Sequence, residues 1–326
     1  MTDREPGQQP ASVQRSAGQQ DAGQQPGGPR ASEHHMARDH AAGHLPGLNT
    51  DAHSQFNEGI PGSTGYLAPE LAFASQLAVE AGETLLRHFV RGIEVQMKGF
   101  ADPVTAADKA SEALIRQAIL LSYPEDGVEG EEDAPRAGSS GRTWLVDPLD
   151  GTANYAAGHP LFAVVLALIE DSNRDHALLN ITYDPIRREL FHAVQGGGAY
   201  LNGRLLQASA CADLSRALVH LHFSSQREVW ELSLELAHRV TERSPHARNI
   251  GSTALAQAYV AAGRLDAHAK VLSGAYDVIG GNLLIEEAGG LVTDLAGQPW
   301  RAGGTLLAAA PGVHPLLVDR IRGLPI

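Results

Sequence analysis

The sequence is short of most features that mark a secreted, membrane-spanning or nucleic-acid-binding protein. It holds one cysteine, Cys211, so an intrachain disulfide framework is impossible and the residue reads as a packed thiol without chemistry. The opening MTDREPGQQP lacks the basic-then-apolar pattern of a signal segment. No apolar run reaches the roughly 18 residues that a membrane-crossing helix needs. Basic residues are the minority, 25 Lys and Arg against 38 Asp and Glu, for a net charge of −13, and no basic run breaks that pattern. Nucleic acid is therefore not an expected partner. These absences give the expectation of a soluble protein in a reducing cytoplasm. They do not exclude a phosphorylated small substrate, because bound cations can reverse the sign of a pocket.

What is present is enough for a large core: 326 residues, 43% of them hydrophobic. Residues 1–66 stand apart. Gly7, Gly18 and Gly23 each precede Gln-Gln, large apolar residues are few, and His34, His35, His40, His44 and His53 fall at irregular spacing. Such a segment buries too little surface to offset its ordering entropy and reads as a disordered tail. From Ala68, Leu71, Ala74, Leu77, Ala78, Ala81, Leu85 and Phe89 recur at helical spacing, with Gly92 as a stop. A short strand over 94–97 and a helix from Ala106 to Leu121 follow. Strands are expected at Trp144–Val146, Leu161–Ile169, Ala177–Tyr183 and Glu189–Val194. The remainder alternates: strands at 218–221, 291–293 and 306–309, helices at 228–240, 253–262, 277–288 and 314–321. Two α/β units result, 67–210 and 211–326.

The most informative stretch is WLVDPLDGTANY, Trp144–Tyr155. Asp147 is expected where a strand leaves its sheet, and Pro148 stiffens the exit. Asp150-Gly151 favours a tight turn. Such a turn aims two carboxylates and the Leu149 carbonyl at one point, and a donor set of hard oxygens suits Mg²⁺ better than zinc. Asp147 and Asp150 could equally cap a helix beginning near Thr152. Upstream lie the acidic pair Glu131 and Glu132, which on its own reads as a solvated loop, and a DxxTxxD run from Asp102 to Asp108. Asp108 could simply stabilise the first turn of its helix.

Taken together, these segments resemble the inositol monophosphatase family over about residues 68–320. DPVTAADKASE (Asp102–Glu112), GEE (Gly130–Glu132), WLVDPLDGTANY, TYDPIRRELFHAVQGGGAYLNG (Thr182–Gly203), GSTAL (Gly251–Leu255), AYVAAGRLDA (Ala258–Ala267) and YDVIGGNLLIEEAGGLVTD (Tyr276–Asp294) carry the resemblance. It implies an α+β fold, the layered αβαβα sugar-phosphatase arrangement with mixed sheets between helix layers. It implies two or three Mg²⁺ ions: Glu131, Asp147 and the Leu149 carbonyl at the first, Asp147, Asp150 and Asp277 at the second, and Glu131 with Glu132 nearby at a weaker third. Thr152 and Glu131 would orient the attacking water, with Asp102 and Asp108 behind them and Asp102 supporting Thr152. The Gly151 and Thr152 amides would receive phosphate oxygens. The implied activity is hydrolysis of a small phosphorylated metabolite by metal-activated water, and the implied assembly a homodimer.

The chain departs from the family pattern where substrate is chosen. The inositol phosphatases place a Glu seven residues before their last metal Asp, and counting back from Asp277 gives Lys270. A cation there cannot accept a hydrogen bond from a sugar hydroxyl. The usual Trp before that Asp is Tyr276, and Arg248 is a candidate substrate contact beside GSTAL. Fructose 1,6-bisphosphate, 3′-phosphoadenosine 5′-phosphate and histidinol phosphate therefore stand beside inositol phosphate as substrates. A non-catalytic homologue is disfavoured, because a dead site has no reason to gather so many acids. His159 lies near the signature, but the chemistry requires no role for it. The Gly/Ser-containing loop 132–141 is expected to be mobile above the metals.

Overall fold

Two mixed sheets alternate with three helix layers. The computed structural model describes residues 66–91, 95–99, 102–223 and 226–324, with the backbone alone at 91, 95–99, 102–104, 275 and 277. The Gly/Gln-rich tail, its histidines and the Gly92 stop lie outside the described residues. The first layer is α1 (Ala68–Arg91) with α2 (Ala106–Ser122), joined by a small antiparallel hairpin of β1 (Val95–Gly99) and β2 (Asp102–Thr105). On α1, Leu71, Ala74, Ala78, Ala81 and Leu85 are fully buried, and this single apolar face seats the helix on a sheet.

That sheet has seven strands in chain order: β3 (Gly127–Gly130), β4 (Arg142–Asp150), β5 (Ala163–Glu170), β6 (Asn173–Asp184), β7 (Glu189–Val194), β8 (Gly198–Leu201) and β9 (Arg204–Leu205). All neighbours are antiparallel except β3 and β4, which are parallel. The second sheet has five strands ordered β11-β10-β12-β14-β13. Here β10 (Leu218–His222) runs parallel to both β11 (His246–Arg248) and β12 (Ala267–Lys270). Strands β14 (Leu306–Ala309) and β13 (Leu291–Thr293) complete it antiparallel.

Between the sheets lie α5 (Thr253–Ala261) and α6 (Ala275–Glu287). Ala256, Ala258 and Val260 of α5 and Val278, Leu284 and Ile285 of α6 are buried, and one cluster joins them to Leu145, Ala167 and Phe191 of the large sheet and Leu306 and Ala308 of the small one. Helices apolar on every side suit only such a covered position. The outer layer, α4 (Trp230–Thr241) and α7 (His314–Ile321), closes the far face of the small sheet through Leu236, Val240, Leu317 and Ile321. The architecture is the layered mixed α/β arrangement that the resemblance implies. No described helix is long and apolar enough to cross a membrane.

One departure from expectation shapes the site. The chain does not leave the sheet at Asp147. Strand β4 continues to Asp150, with Asp147 opposite Val165 and Asp150 opposite Ala163. Three steps along β4 thus match two along β5, a β-bulge that re-aims the side chains around Pro148. A second departure concerns the loop after Glu132. Arg136 pairs backbone to backbone with Val128 at 2.9 and 2.8 Å, its guanidinium donates to the Asp126 and Pro124 carbonyls, and the Ser139 and Ser140 amides donate to the Glu125 carbonyl. The segment is exposed but stitched back onto the edge of β3.

Candidate active site

Two buried acids, Asp147 and Asp150, lie in the last stretch of β4, just past the end of the parallel strand β3. The register of the two strands sets Gly130 opposite Val146, so Glu131 follows level with Asp147. Asp147 is 4% exposed and Asp150 8%. The bulge lets the Leu149 amide donate to Asp147 Oδ1 at 3.1 Å. Asp150 caps no helix of its own segment: the short helix α3 (Thr152–Ala156) begins at Gly151 without a side-chain cap. Its carboxylate instead meets the start of α5, accepting from Thr253 N at 3.0 Å, Ala254 N at 3.2 Å and the Ser252 hydroxyl. Those three donors occupy most of the roughly four lone-pair positions a carboxylate offers.

Thr152 is the polar pivot beside these acids. Its Oγ1 lies 3.0 Å from the Leu149 carbonyl and 3.3 Å from Asp108 Oδ1. Asp108 Oδ2 accepts from the Thr105 amide at 2.9 Å and from its hydroxyl, which closes a capping box at the start of α2. Asp108 therefore stabilises its own helix and reaches Thr152 with its second oxygen. The Asp102 side chain lies outside the described residues. Gly151, at φ 92, permits the turn between Asp150 and Thr152, and a Cβ there would stand 2.8 Å from the Leu161 carbonyl.

Glu112 had no assigned role in the sequence beyond closing the DPVTAADKASE segment, yet it positions the Glu131–Glu132 pair. Fully buried, it accepts from the Glu132 amide at 2.8 Å and the Asp133 amide at 3.0 Å. Arg116, one helical turn on, holds Glu112 at 2.6 Å and donates to the Asp133 and Ala134 carbonyls. A Cβ at Gly130 would collide with the Glu112 carboxylate. The available signal was the Glu-x-x-x-Arg spacing on a helix bearing an apolar face.

A basic group faces the acids across α5. Lys270 ends β12 and His222 ends β10, paired in register on adjacent parallel strands. Lys270 is 5% exposed, and its Nζ lies 3.3 Å from Thr253 Oγ1. His222 Nδ1 lies 3.4 Å from the same oxygen. One step back, His220 Nδ1 meets His268 Nδ1 at 2.7 Å, with Nε2 of both rings buried and unpartnered. Burial first, and then the Lys270 charge, pushes His220 down to about 4, with the nearby Asn249 side chain opposing. Burial and its charged neighbours likewise hold His222 and His268 well below the usual imidazole range.

The other sequence candidates are dispersed. Tyr276, on α6, is half-buried and packs on the core cluster between the sheets. Arg248 is exposed on β11 and donates to the Ala247 carbonyl at 2.8 Å. His159 is exposed. The Asp277 side chain lies outside the described residues. Among the described residues, no group of three or more His, Cys, Asp and Glu side chains is close enough to hold a metal. The donor chemistry at the β4 end nevertheless suits Mg²⁺: two buried carboxylates flank a carbonyl, and the adjoining Glu131 offers a further hard oxygen donor.

The profile of the inositol monophosphatase family matches residues 67–323. Nus factor SuhB of Pasteurella multocida is 35% identical over 259 residues, which is 78% of this chain and 96% of that protein. The structure of the extragenic suppressor protein suhB of Bartonella henselae matches with a TM-score of 0.74 at 30% identity, covering 78% of this chain and 99% of that one. Inositol monophosphatase of Anabaena matches with a TM-score of 0.71 at 31% identity, covering 80% and 98%.

Proposed function

The chain belongs to the inositol monophosphatase family, within a superfamily of Mg²⁺-dependent phosphatases, and from that premise we propose that it hydrolyses a small phosphate monoester at the carboxyl end of β4. The observation that carries this reading is the joint placement of buried Asp147 and Asp150 with a Thr152 hydroxyl backed by Asp108. Few structural needs explain two buried acids bracketing a bulge, whereas a phosphatase uses each of them.

Glu131, Asp147 and the Leu149 carbonyl would hold one Mg²⁺, Asp147, Asp150 and Asp277 a second, and Glu131 with Glu132 a weaker third. Bound there, Mg²⁺ offsets the phosphoryl charge, lowers the pKa of water and stabilises the leaving oxygen. The protein's own part is orientation. Thr152 donates to Leu149 or Asp108 and keeps lone pairs for a water hydrogen, while Glu131 takes the other side of that water. Asp108 is fixed through Thr105, so Thr152 does not rotate freely. By the family pattern Asp102 would support Thr152, and the Gly151 and Thr152 amides would receive phosphoryl oxygens. Glu112 holds the Glu132 and Asp133 amides, which directly follow Glu131.

Inositol phosphate leads the substrate list by family. Fructose 1,6-bisphosphate, 3′-phosphoadenosine 5′-phosphate and histidinol phosphate are the alternatives, given Lys270, Tyr276 and Arg248. The test is phosphate release from a panel of these esters with Mg²⁺, then with a chelator, then with Asp147→Asn. Release should need the metal and fall by about 10³-fold in the variant, the scale of losing an essential electrostatic group. Release that ignores the chelator, or an Asp147→Asn enzyme of normal rate, would overturn the reading.

A further inference from the structure

One carboxamide closes the far side of the turn that carries Asp150 and Thr152. Asn154 sits on α3, two residues beyond Thr152. Its Nδ2 donates to the Leu161 carbonyl and to the Ile250 carbonyl, both at 2.8 Å. Leu161 leads into β5, where Ala163 pairs with Asp150. Ile250 leads into α5, whose Thr253 and Ala254 amides and Ser252 hydroxyl hold the Asp150 carboxylate. A single side chain thus ties together the two segments that bracket Asp150. We propose that Asn154 is a positioning residue: it fixes where Asp150 presents its carboxylate, and so sets the affinity of the Mg²⁺ position that Asp150 serves. This rests on the phosphatase reading and adds to it a residue that acts only through another.

Three observations carry it. First, the chemistry of the contact is specific. Both acceptors are carbonyls, so the group between them must supply two N–H donors from one atom, which an amide does and an isosteric carboxylate does not. Second, the backbone is shaped around this carboxamide. Gly251 has φ 71, and a Cβ there would stand 2.7 Å from Asn154 Oδ1 and 2.8 Å from its Nδ2. A Cβ at Gly151 would stand 3.4 Å from the Gly251 carbonyl, so the two glycines let the turn before Thr152 and the turn before α5 close on each other. Third, the link from that turn to Asp150 is directional. The Ser252 hydroxyl caps α5 by accepting from Leu255 N at 3.1 Å, and it spends its own hydrogen on Asp150 Oδ2. A shift of Ile250 and Gly251 therefore passes through Ser252 to the carboxylate. Groups that orient a metal ligand in this way typically change metal affinity or activity by about 10–100-fold when they are removed.

The test reads metal binding directly, with Mn²⁺ in place of Mg²⁺ and free Mn²⁺ counted by electron paramagnetic resonance without any ester present. Asp150→Asn identifies the class of bound Mn²⁺ that Asp150 serves. Asn154→Leu, close to asparagine in shape but without donors, should weaken that same class about 10-fold and leave other Mn²⁺ binding within about 2-fold. In phosphate release, the Mg²⁺ concentration for half-activation should rise by a similar factor while the KM for the ester stays nearly constant. Gly251→Ala presses on the same carboxamide from the other side and should act in the same direction, which keeps the test decisive if Asn154→Leu folds poorly. Gly289→Ala, just past the C-terminal end of α6, controls for lost stability and should bind Mn²⁺ as wild type does. Unchanged Mn²⁺ binding in folded Asn154→Leu, or in Gly251→Ala where only that variant folds, overturns the positioning role. So does an equal weakening of every class, since the carboxamide would then be a clamp on the fold alone. A wild-type chain that binds no Mn²⁺, or an Asp150→Asn chain that binds it normally, overturns instead the ligand assignment on which the inference stands.

Discussion

The carboxyl ends of β3 and β4 carry acids on irregular backbone, and those of β10 and β12 carry bases on a regular ladder. The acidic end is built from a bulge, a proline, a left-handed glycine and a set of directed hydrogen bonds: Leu149 N to Asp147, the α5 amides to Asp150, the Thr152 hydroxyl to Asp108, and the Glu132 and Asp133 amides to Glu112. The basic end has unbroken register, and its imidazoles are held by burial, with two ring nitrogens left unpartnered. Geometry controls the first region and proton binding controls the second. The acidic end should fail when a positioning bond is cut, and the basic end when pH falls.

The sharpest way to break the acidic end without touching a proposed ligand is Glu112→Ala. It strands two backbone amides and leaves Arg116 without its partner. Breaking a buried pair in this way costs about 3–5 kcal/mol. The freed Glu131 loop should cost about 10²-fold in phosphate release, the scale of an ångström of misplacement. Urea unfolding and the release assay together check this, and Glu112→Gln should recover part of both because it retains one acceptor. A stable Glu112→Ala enzyme with an unchanged rate would remove the positioning role.

The basic end answers to acid. An unfolded histidine titrates near 6.5, whereas folded His220 titrates at about 4. Between those values the unfolded chain binds the extra proton, so stability rises with pH across this window. The contribution is fully present above about 6.5 and is lost progressively as pH falls toward 4, on the order of 3 kcal/mol for this ring. His268, held down by burial and then by His220, adds loss in the same direction. Unfolding free energies at pH 7, 6, 5 and 4 should show the slope, and the double variant His220→Asn, His268→Asn should flatten it. An equal slope in wild type and variant would place the acid sensitivity elsewhere.

The two regions also differed in how much of them could be read from residues alone. The acidic end announced itself, because Asp147, Asp150 and Thr152 lie within six residues and the WLV run before them is apolar enough to be a strand. Its irregularity was hidden: Pro148 reads as a chain exit, whereas the bulge carries β4 on to Asp150. Strand β3, GVEG, has too little apolar content to stand out, so its parallel pairing with β4, which levels Glu131 with Asp147, had no local sign. The Asp108–Thr152 contact spans 44 residues and obeys no periodicity. At the basic end, β12 reads AHAK, small and polar residues that resemble a loop until α5 and β14 cover them. The match of His220 with His268 and of His222 with Lys270 joins residues 48 apart. Only the fold supplies that register. The long helices were legible because their apolar face repeats within each turn.

Two glycines give the smallest expected effect and separate backbone strain from site geometry. Gly151 and Gly289 both have positive φ, 92° and 81°. A Cβ at Gly289, just after α6, meets nothing within 4 Å, so Gly289→Ala carries backbone strain alone, roughly 1–2 kcal/mol. A Cβ at Gly151 would also press on the Leu161 carbonyl at 2.8 Å, where the backbone has no flexible end to yield. Gly151→Ala should therefore cost about 1 kcal/mol more than Gly289→Ala, seen as a further fall of a few degrees in Tm. Only the first should slow phosphate release, because the turn it strains carries Asp150 on one side and Thr152 on the other. Equal losses of both stability and rate in the two variants would mean that the acidic end tolerates displacement, and that the bulge is an accident of the sheet rather than the device that aims its carboxylates.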